Sequence, residues 1–154
     1  MKQLNVTLLI VGLAAIAIAD TPREHVLTRV WRGDGNEKVW VVTDQRIKAA
    51  PAWDGLTNEP PVSPSKAANI AAAYIAKQQG LKQSDLRPLK ISLDSLMVSP
   101  NISYWVYKIH LFIDTHGAPS ATSGDQDPMM VVILMDGSVV EPKEQKRQAV
   151  EPPS

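Results

Sequence analysis

The sequence predicts an α+β fold in which one main helix packs on an antiparallel β-sheet, with an N-terminal β-hairpin ahead of the helix. Three observations support this class. An amphipathic segment with capping residues at both ends lies mid-chain, apolar segments with the two-residue period of strands follow it, and short Gly- and Asp-containing turns separate some of those segments. Strands joined by hairpins pair antiparallel, so the helix covers one face of such a sheet.

The helix is predicted over residues 64–79. Ser63 can cap its first turn through the hydroxyl, and Pro64 suits the first helical position, where a missing N–H costs nothing. Gly80 provides the left-handed residue that ends many helices, and Leu81 can pack back over the last turn. At 100° per residue, the apolar side chains that share one face are Ala67, Ile70, Ala71, Tyr74 and Ile75.

Three strands are predicted downstream, over residues 86–98, 103–114 and 129–135. The second strand, SYWVYKIHLFID, alternates clearly, and we expect its apolar face to lie against the helix; that face comprises Trp105, Tyr107, Ile109, Leu111 and Ile113. The third, MMVVILM, is apolar on both faces, as expected of a central strand. Asp136-Gly137 then predicts a two-residue hairpin turn, and Pro142 is expected to end the returning strand.

A hairpin is predicted over residues 26–43, where VLTRVW and KVWVVT flank the turn sequence RGDGNE. Ordinary turn chemistry explains the Arg-Gly-Asp triplet better than an adhesion motif does. Residues 44–62 contain three prolines and are expected to form a loop. Trp53 lies within it, and we expect its large ring to pack back onto the domain, with an exposed binding contact as the alternative.

The first nineteen residues have the features of a secretory signal peptide. Lys2 precedes an apolar run, and Ala17-Ile18-Ala19 forms an A-x-A cleavage site. The run is shorter than a spanning helix requires, so we expect no stable membrane span after cleavage. The predicted organisation is a signal peptide over 1–19, one α+β domain over 20–143 and a flexible tail over 144–154. The protein is then exported, either periplasmic or secreted.

Composition argues against several functional classes. Lys plus Arg and Asp plus Glu both number 16, so no basic excess indicates nucleic-acid binding. The chain has no cysteine, which excludes disulfides and cysteine nucleophiles. The sequence also lacks the Gly-x-Ser-x-Gly, phosphate-loop and dinucleotide motifs. We therefore predict a non-enzymatic protein without catalytic residues, cofactor or metal.

The helix SPSKAANIAAAYIAKQQG, the strand YWVYKIHLF and the ending VVILMDGSVVEP together resemble a PepSY-like domain over about residues 63–143. The Asp-Gly-Ser turn of this ending is shorter than the Asp-x-x-Thr-Gly-Glu pattern usual in that family. The same order of elements is similar to cystatin-like folds. The resemblance implies an exported bacterial module that binds or regulates a protein of the cell envelope, such as a protease.

The candidate binding residues are Trp53, Tyr104 and Phe112. Tyr104 and Phe112 lie on the mixed face of the 103–114 strand, which would be a binding surface if it were open. The alternative is that the N-terminal hairpin covers that face, and this is favoured because the hairpin's own Val and Trp side chains also need burial.

His110, Asp114 and His116 are metal ligands by type, but residues four apart on a strand lie about 13 Å apart, too far for one ion. These residues leave open a second hypothesis, a small-ligand binder or enzyme with His110 and Asp114 in a pocket between helix and sheet. A third hypothesis is a structural subunit of an envelope assembly.

Overall fold

The computed structural model describes residues 22–32, 34–55, 59–99, 102–115, 118–119 and 129–146. Within these ranges the chain forms two α-helices, one short 3-10 helix and eight strands. The helices are α1 (Asp44–Ala49) and α2 (Pro64–Gln79), with the 3-10 turn at Gln83–Asp85. The strands are β1 (Glu24–Trp31), β2 (Asn36–Thr43), β3 (Leu86–Ser99), β4 (Ile102–Thr115), β5 (Ala118–Pro119), β6 (Met129–Leu134), β7 (Val139–Val140) and β8 (Pro142–Lys146).

The strands form two antiparallel sheets. The smaller, sheet A, has the order β1-β2-β8, and the larger, sheet B, has the order β3-β4-β6-β7 with β5 paired to β4. The mixed α and β composition with antiparallel pairing confirms the predicted class. The N-terminal hairpin β1–β2 is present, but it does not stand as a separate hairpin, because β8 pairs with β2 and completes a second, three-stranded sheet.

Both ends of α2 are capped as predicted. Ser63 Oγ accepts a hydrogen bond from Lys66 N at 3.3 Å, and Pro64 occupies the first turn. Gly80 adopts the left-handed conformation at φ 67°, and Leu81 N donates to Ala76 O at 3.0 Å. These local signals fix where the helix begins and ends.

The helix lies on the predicted face of β4, where the alanines allow close approach to the sheet. Tyr107 also anchors the segment before α2, since its hydroxyl donates to Val62 O at 2.8 Å. We call this cluster the helix-side core. Its buried members are Val62, Ala67, Ala71, Ala72, Ile75, Leu86, Tyr107, Ile109, Leu111, Val131, Ile133 and Met135.

Sheet A and α1 cover much of the opposite face of sheet B, which confirms that the hairpin packs there. We call this second cluster the hairpin-side core. Its buried members are Leu27, Trp40, Val42, Ile47, Ala50, Val106, Met130, Val132, Leu134 and Val140. Strand β6 contributes to both cores, as expected of a strand that is apolar on both faces.

Three boundaries differ from the sequence predictions. Residues 44–49 form α1 rather than a loop, because Thr43 Oγ1 caps them and Ile47 is buried in the hairpin-side core. The β6–β7 turn is longer than two residues: Gly137 N bonds to Leu134 O and Leu134 N bonds to Ser138 O, with Gly137 at φ 84°. Pro142 begins β8 opposite Trp40 instead of ending a strand.

Strand β8 also extends to Lys146, within the segment expected to be a tail. The signal peptide, His116 and most of the 115–128 loop lie outside the described residues, as does the chain after 146. In the part that is described, no helix has the length and apolar character needed to cross a membrane.

Candidate binding site

Trp53 packs back onto the domain, as predicted. Its ring lies edge-on to that of Trp105, with centroids 5.2 Å apart and planes at 63°. Gly55 allows this approach, since a Cβ there would lie 2.7 Å from Cζ2 of Trp105. Trp53 is half-buried. The pair lies at the edge of the helix-side core, so Trp53 contributes to packing.

Tyr104 and Phe112 lie on the other face of β4, and both are half-buried. Tyr104 packs against the hairpin-side core, whereas Phe112 lies beyond that cluster, opposite Arg87 of β3. Eight residues along a strand separate them by about 26 Å. The structure therefore does not bring Trp53, Tyr104 and Phe112 together into one site.

His110 is flanked by Lys90 on β3 and Met130 on β6. Burial and the positive charges of Lys90 and Lys108 lower the pKa of its imidazole. Asp114 instead pairs with Arg87, with Nε and Oδ2 3.6 Å apart. Among the described residues, no three His, Asp or Glu side chains converge as a metal site would require.

A cavity of about 190 Å³ lies between the C-terminal end of α2, the start of β6 and sheet A. We call it the helix-end cavity. It is lined by Lys38, Trp40, Tyr74, Ile75, Gln78, Gln79, Met129, Met130 and Pro142. Its walls come from both cores, because α2 and sheet A lie on opposite faces of sheet B.

The cavity exists because β7 is short. This strand pairs with only the middle of β6, where Val140 lies opposite Val132 and Val139 lies opposite Ile133. Met129 and Met130 pair with β4 on one side, but no described strand pairs with them on the other. The helix end and sheet A therefore overhang a strand edge that the described strands leave open.

The lining is largely apolar, and its polar members are Lys38, Tyr74, Gln78 and Gln79. Burial and the negative charge of Glu141 raise the pKa of Tyr74, whose hydroxyl can donate a hydrogen bond. Gln78 and Gln79 add amides that both donate and accept. Trp40 is buried, and no described residue accepts a hydrogen bond from its Nε1.

Size decides what such a cavity can hold. Pockets for drug-sized molecules and cofactors usually measure about 300–1,000 Å³. An apolar cavity of about 150 Å³ holds a benzene ring. At about 190 Å³ the helix-end cavity fits one aromatic or aliphatic side chain. The two methionines suit that use, because a thioether adapts to different apolar shapes.

A second cavity, of about 410 Å³, is more open, and its lining mixes charged side chains with valines. Its charged groups are Glu24, Arg46, Glu141 and Lys143. Both cations already contact other groups of the protein: Arg46 Nη2 donates to Val139 O, and Lys143 Nζ donates to Glu24 Oε1, each at 2.6 Å. Arg46 thus links α1 to β7, and Lys143 links β8 to β1 within sheet A, so both cations already serve the fold.

Two polar clusters in sheet A were not predicted. His25 Nε2 hydrogen-bonds Asp44 Oδ1, which lowers the pKa of that carboxyl and ties α1 to β1. Glu37 is buried on β2, where it accepts from Arg29 Nη1 at 3.0 Å and from Gln145 Nε2. The helix-end cavity was missed as well. The His25–Asp44 contact depends on α1, and the Glu37 cluster and the helix-end cavity depend on β8. Neither element has a strong sequence pattern of its own.

No protein-family model, curated protein or solved structure matches this chain.

Proposed function

We propose that the chain is an exported, non-enzymatic module that binds or regulates a protein of the cell envelope, and that the helix-end cavity receives an apolar side chain of that partner. The observation that carries this proposal is a cavity of side-chain size, lined by two methionines and a tryptophan, beside a part of β6 that no described strand pairs with on that side. Apolar anchors that fill such pockets dominate the energy of many protein interfaces.

The edge of β6 at Met129 and Met130, which no described strand pairs with, supports an extended partner segment. Backbone groups along such an edge can hydrogen-bond a strand, while a neighbouring pocket selects one of its side chains. Tyr74, Gln78 and Gln79 border the cavity and can bond the main chain on either side of the anchor. Binding by this route needs no catalytic group.

The proposed location and family rest on the sequence pattern. The N-terminal apolar run with its A-x-A site supports export to the periplasm or beyond. The order of α2 and the strands that follow supports the PepSY-like resemblance, and with it a partner in the envelope, proteases included. The second antiparallel sheet is an addition to that pattern.

The enzyme hypothesis receives less support. It required His110 in a pocket between helix and sheet, but His110 lies on the face opposite α2 and lines neither of the two cavities described above. The helix-end cavity is also smaller than the usual cofactor or substrate pocket. A protein side chain remains the occupant that fits.

The proposal can be tested by NMR of the purified chain with ¹³C-labelled methionine methyl groups. The α-amides of N-acetyltryptophan, N-acetylleucine and N-acetylglutamate serve as probes at rising concentration. We expect the first two to shift the Met129 and Met130 methyl signals and the glutamate amide to leave them in place. Met97 is 71% exposed and lies far along β3, so its signal provides the internal reference.

A matched pair of variants extends the test to protein partners. Met129→Trp fills the cavity, whereas Met97→Trp adds the same ring to an exposed position outside it. An envelope protein retained by the wild type and by Met97→Trp, but lost with Met129→Trp, would support the proposal. Equal retention by all three proteins, or probe shifts at Met97 equal to those at Met129, would contradict it.

A further inference from the structure

Among the described residues, strand β3 forms one edge of sheet B, and a proline and two bulges interrupt only part of that edge. Bulges interrupt its register with β4 between Pro88 and Lys90 and between Met97 and Ser99. Proline, charge and bulges are the usual devices that keep an edge strand from pairing with another chain. Between the bulges, from Lys90 to Met97, the pairing with β4 is regular.

This regular stretch presents apolar side chains to solvent. Ile91 is 38% exposed and Met97 at the end of the stretch is 71% exposed, while Leu89, in the bulge just before it, is 70% exposed. Long edge strands with exposed apolar residues are predicted sites of strand addition. The stretch carries two charges, Lys90 and Asp94, which lie on the same face, four residues apart.

The positions of these charges favour a second copy of the same strand as the partner. A two-fold axis perpendicular to the sheet keeps the same face up in both copies. Residues that lie opposite each other point to the same face, so one residue must lie opposite its own copy, and the axis passes between these two copies. An axis at Leu93 leaves Lys90 opposite Leu96, and one at Asp94 sets two carboxylates opposite each other. An axis at Ser92 instead places each Lys90 opposite an Asp94.

We propose that two copies of this chain pair through β3 about a two-fold axis at Ser92, so that the sheets B of both copies form one continuous antiparallel sheet. Lys90 then lies opposite the partner's Asp94 on one face, and Ile91 lies opposite the partner's Leu93 on the other. Opposite charges and apolar pairs are the cross-strand neighbours that stabilise sheets. This proposal uses a different surface from the helix-end cavity and does not depend on it.

Asp94 can take part without losing its existing contact. Its Oδ2 lies 2.6 Å from Lys108 Nζ, on the β4 side. A carboxylate has a second oxygen, so Asp94 can accept from Lys108 within its own chain and from the partner's Lys90 across the axis. The side chain of Asp94 is 41% exposed, which leaves it accessible to that partner.

The test is a charge exchange followed by light scattering and sedimentation of the purified chain. We expect a wild-type dimer at micromolar concentration. The symmetric dimer contains two such charge pairs. Lys90→Glu places a Glu opposite Asp94 in both pairs, and Asp94→Lys places a Lys opposite Lys90 in both. Each variant should therefore weaken dimerisation by about tenfold or more. An equimolar mixture restores opposite charges in both pairs and should restore the dimer.

Lys82→Glu and Glu59→Lys are the matched controls, since both residues are exposed and lie outside β3. If Asp94→Lys does not fold, amide hydrogen exchange of the wild type still gives a result, because protection of residues 90–94 must rise with protein concentration. A wild type that stays monomeric at about 100 μM, far above a micromolar Kd, overturns the proposal. So do single variants that dimerise normally, or a mixture that stays monomeric.

Discussion

The helix-side core and the hairpin-side core share strand β6 but differ in how their parts come together along the chain. The buried residues of the helix-side core all come from one part of the chain, between Val62 and Met135. The hairpin-side core joins Leu27 near the start of the described chain to Val140 near its end. Its sheet is closed by pairing of β2 with β8, where Asn36 lies opposite Lys146. One face of sheet B is thus covered by an element that directly precedes its strands in the chain, and the other by segments from both ends of the described chain.

This difference explains what the sequence could predict. Caps and periodicity are local signals, so Ser63, Gly80 and the alternating apolar residues of β4 identified α2 and the face that it covers. No local signal marks β8: its five residues, PKEQK, are mostly exposed and gain their conformation from pairing with β2. Tertiary pairing therefore overrides a composition that is typical of a solvated tail.

The largest expected effects come from adjacent residues of β6 that face opposite cores. Ile133 faces the helix side and Leu134 the hairpin side, and both are fully buried. Replacing either with alanine should cost about 2–5 kcal/mol of unfolding free energy, through lost transfer energy and a residual cavity. Urea unfolding followed by tryptophan fluorescence and far-UV circular dichroism measures both variants.

We expect the two probes to coincide in each variant, because β6 couples the cores into one cooperative unit. If Leu134→Ala instead gave an early transition that spared α2, the hairpin side would be an independently unfolding layer. The comparison between the two cores would then describe separate folding units and not merely separate sequence origins.

A second prediction concerns the close approach of α2 to sheet B. Ala71 is 0% exposed and faces the sheet, whereas Ala73 on the same helix is exposed. Ala71→Leu should destabilise the protein by about 1–3 kcal/mol, because the added atoms overpack a tight interface. Ala73→Leu is the control and should change stability little. Thermal unfolding of both variants decides the matter, and equal effects would mean that α2 does not pack through its alanine stripe.

The contact between Trp53 and Trp105 gives a third, smaller prediction. Gly55 and Gly35 both have positive φ, 77° and 81°, so alanine at either should cost about 1–2 kcal/mol through the left-handed backbone. A Cβ at residue 55 would also meet the Trp105 ring, whereas nothing lies within 4 Å of one at residue 35.

We therefore expect Gly55→Ala to cost more than Gly35→Ala, with a change in tryptophan fluorescence only in the former. The difference in urea midpoints measures the contribution of the ring contact. Equal costs would show that the loop carrying Trp53 can move away from β4 without loss. Trp53 would then regain the role of an exposed binding residue.

The binding site was less predictable than the fold for a physical reason. Trp53, Tyr104 and Phe112 were chosen because aromatic side chains are frequent in interfaces, yet two of them mainly supply packing. The helix-end cavity depends on how far β7 extends along β6, which turn geometry and the path of the chain into β8 determine. A sequence gives the residue types of such a cavity but not the gap between its walls.

The smallest effect is expected where the cover provided by sheet A ends on β4. His110 lies there beside Lys90 and Lys108, and burial with these two charges lowers the pKa of its imidazole from the ordinary value of 6.5. The unfolded chain thus binds a proton more readily than the folded chain. The stability that His110 contributes is fully present above pH 6.5 and declines as the pH falls through its lowered folded pKa.

The melting temperature of the wild type should fall as the pH is lowered from about 7.5 to below 6.5, and His110→Gln should make that fall smaller. Lys90→Met should raise the pKa of His110 towards its ordinary value, which NMR titration of the imidazole signal measures directly. Lys82→Met is the control, since Lys82 lies outside sheet B. If Lys90→Met left the pKa of His110 unchanged, water around this end of β4 would screen the charge of Lys90. The hairpin-side core would then end closer to Val106.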